Sequence, residues 1–221
     1  MLIILALAPN HVGAQLDSTT HISRAWLAPI AVAVAGVSDS EVREWAGRQH
    51  NPSLDRVART VNRLGTARVL VPAMGLTFLS ARLTGNTELS GGTIKTAAAY
   101  VMSDMFESVL KPIVGRERPH VEGNARRFRP FTANGDWHSL PSAHMAHITS
   151  IVEAIAEQTH SRTLELAGST LVGIVGWDRV YEDQHWTSDV ATTIVLTTMV
   201  SSATIKWLDS HWRPRDRNRA P

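Results

Sequence analysis

Three stretches of the chain carry residues whose types and spacing suit chemistry on an anion. The first is Lys111-Pro-Ile-Val-Gly-Arg-Glu-Arg118-Pro119, the second Pro141-Ser142-Ala143-His144, and the third runs from Arg179 through His185 to Asp189. Between them they hold the cations Lys111, Arg118 and Arg179, the histidines His144 and His185, a helix-opening Ser142 and the carboxylate of Asp189. Two of the cations are Arg, whose planar fork makes bidentate contacts with oxyanions. Taken singly, each piece also has a structural reading. Glu107 and Lys111 have the i,i+4 spacing of a surface ion pair, Arg116 and Arg118 read as solvated loop charges, and Ser142 reads as an ordinary N-cap. His185 and Asp189, one helical turn apart, suit a structural hydrogen bond. The joint order of the pieces, all at expected helix ends, sets them apart.

As patterns they read Lys-x6-Arg-Pro, Pro-Ser-x-His and Arg-x5-His-x3-Asp. In that order they resemble the three motifs of the type 2 phosphatidic acid phosphatase and vanadium haloperoxidase superfamily, over about residues 92–206. The resemblance implies a metal-independent phosphatase that hydrolyses phosphomonoesters through a phosphohistidine and needs no cofactor. It implies His185 as nucleophile, with Asp189 accepting from the other ring nitrogen to fix the tautomer. His144 would protonate the leaving alkoxide and then activate water, while Lys111, Arg118, Ser142, Ala143 and Arg179 bind the phosphate. The implied substrate is a phosphorylated small molecule or lipid. Alternatives are a vanadate-dependent haloperoxidase, for which the chain is short, a non-catalytic phosphate-binding relative, and a purely structural helical bundle.

Two positions depart from the family pattern. Ala143 stands where the family has Gly; it keeps a backbone N–H for a phosphate oxygen, and its methyl costs something only at a positive φ or a very close approach. Asp178 stands where the family has Ser. Pointing inward it would compete for the Arg179 guanidinium; the expectation is that it points away and leaves the phosphate-facing edge free.

Helices must supply the ends on which these residues sit, and apolar spacing is helical almost throughout. Asn51-Pro52-Ser53 reads as a helix start, with Leu54, Val57, Ala58, Val61 and Leu64 at three-and-four spacing before Gly65. A second helix is expected over 67–82, with Pro72 as a kink and a stop at Gly85-Asn86. A third is expected from about Gly92, with Ile94, Ala98, Val101, Met105 and Val109 on one face, as far as Lys111 and Pro112. Residues 115–141, punctuated by Gly and Pro, read as a long functional loop. Helices are then expected over 142–158, 161–177 and 185–209. The fold class is all-α, a single-domain helical bundle with its site at helix ends, spanning 21–210.

Composition sets the boundaries. The 221 residues are 43% hydrophobic and 19% charged, which excludes disorder. There is no Cys, so disulfide scaffolds, thiolate metal sites and a cysteine nucleophile are excluded. A formal charge of +2 gives no field suited to nucleic acid, although Arg outnumbers Lys nineteen to three. The apolar opening, Met1 to Ala8, with Val12 and Ala14 ahead of Gln15, reads as a signal peptide within residues 1–20 or as an apolar terminus. It points to an extracytoplasmic, periplasmic or secreted location. Residues 211–221 read as a basic tail. Apolar runs such as Trp26–Val37 are shorter than a membrane span needs, so the expectation is a soluble domain or one in contact with a membrane surface. The loop residues Arg116, His120, Arg126, Arg127, Arg129 and His138 are expected on a solvated face. A metal held by His144, His147 and a carboxylate is disfavoured by the surrounding Arg groups.

Overall fold

The structure is a computed structural model, and it describes residues 27–212. The expected signal peptide and most of the basic tail lie outside the described residues. The helices are α1 (Leu27–Val37), α2 (Asp39–Gly47), α3 (Pro52–Leu64), α4 (Ala67–Leu83), α5 (Thr87–Val114), the single turn α6 (Pro119–Glu122), α7 (Ala143–Thr159), α8 (Arg162–Tyr181) and α9 (Thr187–His211). Among the described residues no strand forms; a lone antiparallel bridge joins Arg116 to Phe128. The expected all-α bundle is therefore the observed one.

Helix α7 is the central element, packed against α5, α8 and α9. One core cluster joins Val61 of α3, Met145, Ile148 and Val152 of α7, Val172 and Val175 of α8, and Val190 and Ile194 of α9. The α7–α8 approach is close enough that a Cβ on Gly168 would lie 2.6 Å from Val152 Cγ1. Helix ends follow their caps. Asn51 accepts from the backbone N–H groups of Ser53 and Leu54 to start α3, and Asn86 accepts from Leu89 N at 2.9 Å to start α5. Because Asn86 caps it, α5 begins at Thr87 rather than near Gly92. It also continues past Pro112 to Val114. Pro72 lies within α4. A 50° bend separates α3 from α4 at Gly65 and Thr66. Helix α2, rich in polar residues and without an apolar stripe, has no counterpart in the sequence reading.

The apolar stripe of α5 faces outward, opposite to the usual amphipathic arrangement. Val101, Met105 and Val109 are 51%, 58% and 60% exposed, while the buried face consists of Ser90, Thr93, Thr96, Ala99, Tyr100, Ser103 and Glu107. Small and hydroxylated side chains let α7 and α9 pack closely there, with Ser103 Oγ 3.2 Å from Ser201 Oγ. The apolar residues Val69, Val71, Leu76, Leu79 and Leu83 of α4 are exposed as well. No single helix among the described residues is long and apolar enough to cross a membrane; the bent α3–α4 pair meets that test only when taken together.

Candidate active site

Four helix ends converge on the three motifs: the C-termini of α5 and α8 and the N-termini of α7 and α9. Gly115 turns the chain out of α5 with φ +58°, and a Cβ there would lie 1.9 Å from the Arg129 carbonyl oxygen, so only Gly fits. The loop that follows is tied back onto itself and onto α5. Arg129 N donates to Gly115 O, Arg118 N to Asp136 O, Thr132 N to Pro112 O and Ser139 N to Arg116 O. These bonds hold Arg116, Arg118 and Ser139 against the start of α9.

His185 is 4% exposed. Its Nδ1 lies 2.6 Å from the Ser139 carbonyl oxygen, an atom that can only accept. Nδ1 therefore carries the proton and Nε2 keeps its lone pair. Asp189 Oδ2 stands 3.9 Å from Nδ1, too far for a hydrogen bond. This corrects the expectation that Asp189 takes the ring proton. Its carboxylate instead accepts from Ser139 Oγ at 2.5 Å, Trp186 N at 2.9 Å and Arg116 Nη1 at 2.5 Å. Asp189 thus fixes Ser139, and Ser139 fixes the ring. Burial pushes the His185 imidazolium well below the ordinary histidine range, and the charges of Arg118, Lys111 and Arg179 add to this against the Ser139 carbonyl. A neutral ring with a free Nε2 is a nucleophile. Burial raises the Asp189 carboxyl, with Arg116 the main opposing influence.

His144 sits at the start of α7, next to the α3–α4 elbow: a Cβ on Gly65 would fall 2.8 Å from His144 Cδ2. Its Nε2 is buried without a hydrogen-bond partner. Burial, followed by the charges of Arg179, His147 and Lys111, pushes this histidine down to about 3. Ser142 occupies the N-cap of α7, yet its side chain caps nothing, and its buried Oγ has no hydrogen-bond partner. Its backbone N–H donates to Thr193 Oγ1. The first amides of α7 and the Ser142 hydroxyl thus form an anion-accepting terminus. Ala143, the first residue of α7, has no positive φ, so its methyl brings no backbone strain.

The three cations are held by different means. Lys111 pairs with buried Glu107 at 2.9 Å. Arg118 donates through Nε to Gly135 O and through Nη1 to Gln184. Arg179, in the last turn of α8 rather than beyond a helix ending at Trp177, donates through Nε to Asp178 Oδ2 at 2.8 Å and through Nη2 to the same oxygen. The expectation that Asp178 points away is thus corrected. Both residues are buried, and a guanidinium out of water takes the nearest carboxylate.

Sequence reasoning passed over Ser139, for which an irregular loop gives no signal, and Asp39 in the unrecognised α2. It placed Arg116 on a solvated face, whereas Arg116 is 6% exposed and bonded to Asp39, Ser188, Asp189 and the Ala125 carbonyl. His147 faces Asp104 Oδ1 at 2.7 Å rather than joining His144. The ligand atoms of Asp104, Glu107 and His147 lie within 4.8 Å of one another, but the Lys111 ammonium already neutralises Glu107.

A search of curated proteins finds no match. Two crystal structures share the fold. The first transmembrane PAP2 type phosphatidylglycerolphosphate phosphatase from Bacillus subtilis matches with TM-score 0.63 and 18% identity, over 98% of this chain and 96% of that one. Aquifex aeolicus LpxE matches with TM-score 0.61 and 17% identity, over 75% of this chain and 93% of that one. The model of the PAP2 superfamily matches residues 92–213, more than half of the chain and all three motifs. The chain belongs to the PAP2 superfamily, and its fold is that of the PAP2 phosphatases.

Proposed function

We propose that the chain is a metal-independent phosphatase acting on the terminal phosphate of a phosphorylated lipid, through a phosphohistidine at His185. The observation that carries this reading is the Nδ1–H bond from His185 to the Ser139 carbonyl at 2.6 Å, which leaves Nε2 unprotonated among Lys111, Arg118 and Arg179. Those cations and the α7 terminus neutralise the phosphate dianion, the task a metal performs elsewhere. Nε2 attacks phosphorus, the bond from phosphorus to the alkoxyl oxygen breaks, and His144 gives its proton to the departing alkoxide. Water then attacks the phosphohistidine, His144 takes the proton, and inorganic phosphate leaves. The free histidine returns.

A neutral His144 has no proton to give, so the ring takes one up from solvent as the substrate binds. Burial, and after it the charges of Arg179, His147 and Lys111, hold the ring deprotonated in the free site, and the phosphate charge offsets those cations.

The lipid assignment rests on the outward apolar faces of α4 and α5, an exposed apolar surface that suits contact with a membrane. The name of one structural neighbour agrees with it: that protein is a transmembrane phosphatidylglycerolphosphate phosphatase. We place the site on the extracytoplasmic side, following the signal-peptide reading of the N-terminus.

The test is a substrate panel on purified protein in EDTA, comparing soluble phosphomonoesters with lipid phosphates in detergent, together with labelling of the enzyme under an alkaline denaturing quench. Turnover in EDTA with an acid-labile, base-stable phosphoenzyme is expected. Turnover without a phosphoenzyme would overturn the covalent mechanism. The pairing of Asp178 with Arg179 favours a second reading, a phosphate-binding relative without turnover; phosphate binding with no hydrolysis across the panel would select it.

A further inference from the structure

Asp39 opens α2, ahead of the residues that match the family model, and is 2% exposed. Its Oδ1 accepts from Ser188 N at 2.9 Å, and its Oδ2 accepts from Ser188 Oγ at 2.6 Å and Arg116 Nη2 at 2.8 Å. Ser188 lies in the first turn of α9, whose N-cap is Trp186. Tryptophan has no oxygen to cap the free amides, so Asp39 caps α9 from another helix. The other arm of Arg116 reaches Asp189 Oδ1 at 2.5 Å. One guanidinium thus bridges two buried carboxylates, and the series of bonds continues through Ser139 to the His185 ring.

We propose that Asp39 is a positioning residue for His185, acting through Arg116, Ser188 and Asp189. This rests on the reading of His185 as the nucleophile. Arg116 has five donor hydrogens, and its arms are divided between Asp39, Ser188, Asp189 and the Ala125 carbonyl. Loss of the Asp39 charge leaves Asp189 as the single carboxylate on Arg116. Truncation of the side chain also removes the acceptor that anchors the first turn of α9, on which both His185 and Asp189 depend. The ring then loses its fixed aim at phosphorus. A shift of about 1 Å in a reacting group costs on the order of a hundredfold in rate. The phosphate-binding cations are not part of this network, so ground-state binding stays.

The experiment compares wild type, Asp39→Asn and Asp39→Ala as full chains. It measures circular dichroism, kcat and KM for p-nitrophenyl phosphate, and the single-turnover rate of phosphoenzyme formation. Asp39→Asn keeps the shape and one oxygen to accept from Ser188 N, but puts a donor NH2 where Oδ2 accepts from Ser188 Oγ and Arg116 Nη2. It therefore carries the test if the alanine variant does not fold. The expected result for Asp39→Asn is a fall of about tenfold in phosphorylation rate and in kcat, with KM within about threefold. Asp39→Ala should fall further where it folds. A folded Asp39→Asn protein that is phosphorylated at the wild-type rate overturns the proposal. So does a loss confined to KM. A wild type that turns over without a phosphoenzyme overturns the His185 reading instead, and the two failures are thereby distinguished.

Discussion

Asp178 and Arg179, neighbours in sequence, form a buried ion pair in which one carboxylate oxygen takes both Nε and Nη2 of the guanidinium. Nη1 is outside that pair, and in the proposed mechanism it is the arm that meets the phosphate. The second oxygen of Asp178, Oδ1, is buried without a hydrogen-bond partner. Burial holds the Asp178 carboxyl above the usual carboxylate range, although Arg179 opposes this.

Asp178→Ser should therefore strengthen phosphate binding. A carboxylate about 5 Å from a phosphate costs roughly 1–3 kcal/mol at an effective dielectric of 20 to 40. A fall of about tenfold in KM for a phosphomonoester at neutral pH is the expected outcome, read from initial rates. The direction with pH follows from the raised carboxyl. As pH falls, Asp178 takes a proton and loses its charge, so the wild type should approach the variant in acid. A gap that stays constant across the range would assign the effect to shape.

His185→Ala should abolish turnover in a protein with wild-type circular dichroism, and no phosphoenzyme should be trapped. Vanadate should inhibit the wild type competitively, because five-coordinate vanadate at Nε2 imitates the phosphoryl transition state. The vanadate-loaded protein should show little bromide oxidation. Bromide peroxidation faster than phosphate release would favour the haloperoxidase alternative.

How far the sequence reached depended on the kind of signal each residue carries. Lys111, Arg118, His144, Arg179 and His185 could be picked out as candidates because spacing within one helix end or one turn is local information. The all-α class was legible from the apolar period. The direction of α5 was not: periodicity reports that Val101, Met105 and Val109 share a face, and here the opposite, hydroxyl-bearing face is the one that packs. Arg116 and Asp39 lie 2.8 Å apart in space but far apart in the chain, and no local pattern links a loop cation to a polar helix start. The inward turn of Asp178 follows from the burial of Arg179, which only the packing of α8 reveals.

Gly65→Ala should slow the reaction without weakening phosphate binding. The added Cβ would sit 2.8 Å from His144 Cδ2 and 3.0 Å from His144 Cβ, so the ring must move. Gly65 has φ −88° and carries no backbone strain of its own. The displaced group is the proposed acid. The variant should therefore lose more kcat with an alkyl phosphate, whose alkoxide needs a proton, than with p-nitrophenyl phosphate, whose leaving group needs little. His144→Ala should show the same selectivity in stronger form. Equal losses on both substrates would separate Gly65 and His144 from protonation of the leaving group.

Proton uptake on ligand binding is the most direct reading of the charge around His144. In the free site its ring is pushed down to about 3, chiefly by burial and then by Arg179, His147 and Lys111. At pH 6 the ring is neutral. A bound oxyanion supplies negative charge beside those cations, cancels part of their repulsion and accepts a hydrogen bond from the protonated ring. Both effects favour the imidazolium, so the pKa rises on binding. If it rises past the working pH, the complex holds up to one more proton than the separate partners. By linkage the same ligand then binds more tightly as pH falls, over the window between the free and bound values. Calorimetry of vanadate binding at pH 6 in buffers of different ionisation enthalpy should show uptake of a substantial fraction of one proton by the wild type. It should show close to none beyond the ligand's own ionisation for His144→Ala. Equal proton counts in the two proteins would place the acid elsewhere, and kcat for alkyl phosphates would then have to survive the His144→Ala change.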